Sequence, residues 1–166
     1  NNYQKSLSAA IVADIIGLND KNKIIDLFEL ILKGDINQVL NCFNQFHENG
    51  IDSALLLQDL LDINHKIAIC KSAKDYKISN LTAKQQKRIA QIADKTSIAS
   101  LAKIWQMLIK GTNELNYSIN QKITFEMLLI RICHLSNLPN LKQIIKKIDK
   151  TTNNQNAHTD SPASVE

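Results

Sequence analysis

The run Ile123-Thr124-Phe125-Glu126-Met127-Leu128-Leu129-Ile130-Arg131-Ile132-Cys133-His134-Leu135 decides the fold. At 100° per residue, Phe125, Leu128, Leu129, Ile132 and Leu135 form one apolar stripe, the spacing of a core-facing helix. A second line, Ile123, Met127 and Ile130 with His134 beyond it, falls at i, i+4, i+7 and i+11 on the opposite side. Glu126 and Arg131 stand on the two borders between them. A helix apolar on two faces is either enclosed within its own domain or offers one face to another chain. Burying a side chain such as Ile or Met contributes roughly 1.5–3 kcal/mol, so three on the second face amount to about 5–8 kcal/mol. That is comparable with the whole stability of a domain, about 5–15 kcal/mol. Periodicity alone leaves both readings open.

Working back towards the N-terminus, Ser97 is the expected cap of a helix with the stripe Ile98, Leu101, Ala102, Ile104, Trp105, Leu108 and Ile109, and Trp105 is expected at the centre of a core. Gly111 is expected to loosen its end, and Ser118 or Asn120 to cap the two-faced helix. Thr82 with Gln85 fits a capping box. It starts a helix of modest apolar content, expected to lie peripherally with Lys84, Lys87 and Arg88 exposed. Before it, 71–80 reads as the longest internal loop. Asp52 caps a long helix through Leu56, Leu60, Ile63, Ile67 and Cys70, and Asn49-Gly50 closes the one before, which carries Ile36, Val39, Leu40, Phe43 and Phe46. His47, one turn beyond Phe43, has no Cys or His partner at metal spacing and reads as a packed or rim residue. Gly34-Asp35 is stop and restart in two residues, which makes antiparallel neighbours of the helices on either side. Asp20 and Ser8 are cap candidates for the two earliest helical patterns, the first of which Gly17 would close.

Beyond the two-faced helix, Pro139 pushes its predecessor out of helical geometry. A basic amphipathic pattern follows over 139–150, and 151–166 has almost nothing to bury, so it is expected to be a disordered linker or tail. No useful β-alternation occurs. The predicted fold class is all-α, an antiparallel helical bundle of about seven helices.

Composition agrees with one globular domain: 166 residues, 44% hydrophobic and 22% charged, with four Gly and two Pro. A net charge of +4 is too mild to require nucleic acid. Cys42, Cys70 and Cys133 are odd in number and far apart, so they read as reduced core or near-core residues of a cytosolic protein. No apolar run reaches the length of a membrane span, and no signal peptide is expected. The chain opens Asn1-Asn2-Tyr3 without an initiator Met and is expected to be a segment of something longer.

Chemistry finds little support. Four isolated glycines cannot form a phosphate-binding loop, and no His-Glu-x-x-His, Cys-x-x-Cys or Gly-x-Ser-x-Gly occurs. Asp26 with Glu29, and Asp59 with Asp62, sit at ordinary solvent-face spacings, so no catalytic residue, cofactor or metal ligand is assigned. Lys142, Lys146, Lys147 and Lys150 are the candidates for phosphate contact. Such contact would be salt-dependent and blind to base sequence, and no aromatic residue interleaves them for stacking. A helical nucleic-acid-binding domain using this basic helix is the alternative reading.

Leu27-Phe28-Glu29-Leu30-Ile31-Leu32-Lys33-Gly34-Asp35, then Asn49-Gly50-Ile51-Asp52 and Leu55-Leu56-Leu57-Gln58-Asp59-Leu60-Leu61, resembles the C-terminal collar of the tau/gamma subunit family of bacterial DNA polymerase III. Ser8 to Leu18 looks like the join between that family's ATPase module and its collar. Phe125-Glu126-Met127-Leu128-Leu129-Ile130-Arg131 is similar to its Glu-Met-x-Leu-Leu-Arg type of signature, with Ile130 placed between Leu129 and Arg131. The likeness covers roughly Ser8 to Leu138, and 71–95 departs most.

The resemblance implies a division into 1–19 as the end of the ATPase module, 20–138 as the collar oligomerisation domain, 139–150 as the basic helix and 151–166 as the tail. It implies a non-catalytic part of a clamp loader in the bacterial cytosol. The expected partners are other tau/gamma copies and the delta and delta-prime subunits; DNA is met only indirectly, with no membrane and no small-molecule substrate. ATP and Mg would belong to the parent subunit, outside this segment. The family thus gives a reason to expect an interface, and the periodicity assigns Ile123, Met127 and Ile130 to it, with Glu126 and Arg131 as polar partners at its rim.

Overall fold

The computed structural model describes residues 21–73, 76 and 78–137, and the side chains of all of these except 136 and 137. Six helices make up the ordered structure among them, with no strand. They are α1 (residues 21–33), α2 (Ile36–Glu48), α3 (Ser53–Ser72), α4 (Ala83–Lys95), α5 (Ile98–Asn116) and α6 (Gln121–Asn137). The helical patterns expected over 8–17 and 139–150, the join at 1–19 and the tail at 151–166 lie outside the described residues.

Local chemistry sets the boundaries. Gly34 adopts φ +68°, where a side chain would be strained, and its amide and that of Asp35 donate back to the carbonyls of Ile31 and Leu30. Asp35 then accepts from the Gln38 amide at 3.1 Å, so α2 starts where α1 has just stopped. Asp52 caps α3 through the Ala54 amide, and Ser97 caps α5 through that of Ser100. Thr82 and Gln85 complete the reciprocal capping box of α4. Of the two cap candidates for α6, Asn120 takes the role: its Oδ1 accepts from the Ile123 amide at 3.2 Å.

α3 is the central element, packing against α4, α5 and α6, while α6 also lies against α5 and α2. The core is one continuous cluster in which Phe28, Phe43, Leu57, Leu60, Leu101 and Phe125 are all fully enclosed. Phe43 and Phe125 join α2 to α6 with tilted rings 4.8 Å apart. Buried Asn64 of α3 donates to the Leu101 carbonyl of α5 at 3.2 Å, fixing the register of that pair.

Three expectations change. Gly111 does not loosen α5, which runs on to Asn116. The glycine is where α6 comes closest: a Cβ there would sit 2.3 Å from Leu128 Cδ2. Arg88 is not simply exposed. It reaches from α4 to α1, donating from Nε to Glu29 at 2.9 Å and from Nη2 to Asp26. Those two carboxylates, read as a plain solvent face, are therefore the tie between α1 and α4. Trp105 is not at the centre of the core but 38% exposed. The stripe predicted for α5 is wider than one helix can bury against neighbours on a single side. Leu101, Ile104 and Leu108 go inside, and Ile98, Ala102, Trp105 and Ile109 are left out.

Candidate subunit interface

α6 is apolar on two sides, and only one of them is covered. Phe125, Leu128, Leu129, Ile132 and Cys133 are fully buried against α5, α2 and α3. Ile123 and Met127 stand 56% and 51% exposed on the other side, Ile130 is half-buried, and His134 is exposed. None of the three apolar residues of the second line is enclosed by this chain in the way Phe125, Leu128, Leu129 and Ile132 are, and Leu135, the last of the first line, is half-buried.

The turn entering α6 adds to that surface. Ile119 is wholly exposed and Tyr117 is 90% exposed. With Ile123 and Met127 they leave about 600 Å² of side chain in water, on the scale of roughly 200 Å² for a large side chain. Such an area is at the upper end of the largest apolar patch a monomer leaves uncovered, about 300–600 Å². The sequence reading missed Tyr117 and Ile119 because they lie in a turn, where helical periodicity has no force. Two large side chains on either side of the cap candidate Ser118 were the available signal.

The two border residues are partly committed within the chain. Arg131 donates from Nη1 to Glu114 Oε1 at 3.0 Å and from Nη2 to Oε2, a forked pair between α6 and α5. Side chains lean towards the N-terminus of their own helix, so in an antiparallel pair these two lean towards each other. Arg131 holds the Glu114 carboxyl below the ordinary glutamate value. Its Nε has no hydrogen-bond partner among the described residues. Glu126 lies 3.9 Å from Lys122 one turn earlier, a solvent-screened pair on the opposite border. Lys142, Lys146, Lys147 and Lys150 lie outside the described residues.

The chemistry available is that of docking. Among the described residues no group of His, Cys, Asp and Glu is arranged to hold a metal, and no helix is long and apolar enough to cross a membrane. The three cysteines are free. Cys133 is enclosed in α6, where burial pushes its thiol up to about 11, and burial also raises that of Cys42.

The architecture is thus an all-helical bundle with an uncovered apolar face on its last described helix. The chain belongs to the family described as DNA polymerase III subunits gamma and tau domain III, whose model matches residues 7–148. Individual relatives agree. A DNA polymerase III subunit gamma of Buchnera aphidicola subsp. Baizongia pistaciae is 24% identical over 136 residues, or 81% of this chain and 37% of the relative. The tau subunits of Salmonella typhimurium and Escherichia coli K12 are 25% and 24% identical over 125 residues, or 75% of this chain and 19% of each relative. The chain therefore spans well under half of the gamma subunit and about a fifth of the tau subunits.

Proposed function

We propose that this chain is the non-catalytic collar domain through which a clamp-loader subunit joins its neighbours in a ring, so that a sliding clamp can be placed on primed DNA in the bacterial cytosol. The neighbours are other gamma or tau copies and the delta and delta-prime subunits. ATP and Mg act in a separate module of the parent. The observation that carries this is the second face of α6: Ile123 and Met127 are each more than half exposed on a helix whose opposite face carries the fully buried Phe125, Leu128, Leu129 and Ile132. Family membership over residues 7–148 supports the same reading, whereas the basic-helix alternative rests on lysines outside the described residues.

The test is Met127→Asp in the full chain. Sedimentation equilibrium should show weakened self-association while the far-UV helical signal is unchanged. A loss of helix would mean that Met127 supports the core instead, and unaltered association would remove α6 from the interface.

A further inference from the structure

α5 carries a second apolar seam. Ile98, Ala102, Trp105 and Ile109 follow at i, i+4, i+7 and i+11, and all four are exposed. The same spacing relates Ile123, Met127, Ile130 and His134 on α6. Both seams therefore step by four, three and four, the alternation by which paired helices interlock. At 1.5 Å per residue each runs about 16 Å. The α5 seam lies on a different flank of α5 from the one that α6 packs against. α6 meets α5 through Gly111 and Glu114, whereas the Trp105 ring lies 6.4 Å from that of His65 on α3. Two unlike faces are what head-to-tail association requires, since a two-fold pair uses one face twice.

We infer that the α5 seam receives the α6 seam of a second copy of this chain, with Trp105 as its central anchor. The inference rests on the reading that the α6 face meets a neighbouring subunit. Area favours this pairing. Ile98, Trp105 and Ile109 expose about 250 Å² on the scale used for α6, so this seam and the α6 surface with its turn residues Tyr117 and Ile119 together bring about 850 Å² of apolar surface. An interface of standard size buries about 1,600 Å² in all, somewhat over half of it non-polar, which is close to that quantity. Pairing α5 with α5 would supply about 500 Å² and fall short. Pairing α6 with α6 would leave the tryptophan uncovered, although tryptophan is enriched among the residues that dominate interface energies.

The test compares Ile109→Lys and Met127→Asp, each in the full chain, by sedimentation equilibrium. Each alone is expected to weaken self-association by about tenfold or more. An equimolar mixture is expected to recover a dimer, because the intact α6 seam of one variant meets the intact α5 seam of the other. Far-UV circular dichroism checks the fold, and Ile109→Ala with Met127→Ala replaces the pair if either charge disturbs it. If Met127→Asp abolishes association, Ile109→Lys leaves it unchanged and mixing restores nothing, the contact is made through α6 alone. That result overturns the α5 seam and leaves the proposed function standing. A wild-type chain that stays monomeric at concentrations on the order of 100 µM, or association indifferent to both substitutions, overturns both.

Discussion

Gly111→Ala separates two effects of opposite sign. Alanine in place of glycine inside a helix ordinarily stabilises by about 1 kcal/mol. Here the new Cβ would meet Leu128 Cδ2 at 2.3 Å and Cδ1 at 2.9 Å. The leucine end is flexible in principle, but Leu128 is fully enclosed and has no open side to turn into. Overpacking of this kind costs about 1–3 kcal/mol, so the clash should outweigh the propensity gain and leave a net loss of about 1 kcal/mol. Leu128→Ala alone should cost about 2–5 kcal/mol as a cavity-forming change. In the double variant the methyl added at position 111 has room, so the two losses should fall short of additive by about 1 kcal/mol or more. Urea unfolding at one fixed protein concentration measures all four corners of the cycle, and holding concentration constant removes any contribution from association. Stabilisation by Gly111→Ala in the wild-type background, or strict additivity, would refute the view that α5 and α6 touch through this glycine.

Phe125→Ala should lower unfolding free energy by about 3–5 kcal/mol, because it removes both a fully buried ring and the partner of Phe43; a loss under about 1 kcal/mol in urea would place Phe125 outside the core. Thr82→Ala removes one half of the capping box of α4 and should cost about 1 kcal/mol by thermal unfolding, with no change in association. Glu29 and Glu114 are held below the ordinary carboxylate range by Arg88 and Arg131. Their contribution is therefore complete above the unfolded pKa, roughly pH 4.3, and is lost as pH falls through the depressed folded values. Arg131→Gln should accordingly destabilise at pH 7, and its deficit relative to wild type should shrink on acidification to about pH 3; a deficit independent of pH would dissociate Glu114 from Arg131.

Much of this fold could be read from short-range chemistry. Asp35, Asp52, Thr82 with Gln85, and Ser97 each cap the helix assigned to them, because a cap is a contact over two or three residues and needs no knowledge of the rest of the chain. What sequence could not supply was which side of a wide stripe has a neighbour. The apolar residues of α5 span more of the helix than α3 and α6 can cover, so Trp105 looked central and stands at an edge. Arg88 presented the opposite problem. On its own helix it is one polar residue among several, and its tie to α1 depends on a partner 59 residues away in the sequence. The two faces of α6 were visible from spacing alone, since Ile123 and Met127 repeat at helical intervals opposite an equally regular core face; the exposed pair in the turn, Tyr117 and Ile119, carried no such rhythm.

Cys133 gives the bundle an internal clock. Its thiol is fully enclosed on the core side of α6, with a pKa of about 11, so at neutral pH it is almost entirely protonated and unreactive. An alkylating reagent can reach it only when α6 lifts from the bundle, so its own labelling rate, resolved by peptide mass from that of the half-buried Cys42 and Cys70, counts those openings. A neighbour seated on the outer side of the same helix would hold it down without touching the sulfur, and slower alkylation at higher protein concentration would register that grip from within.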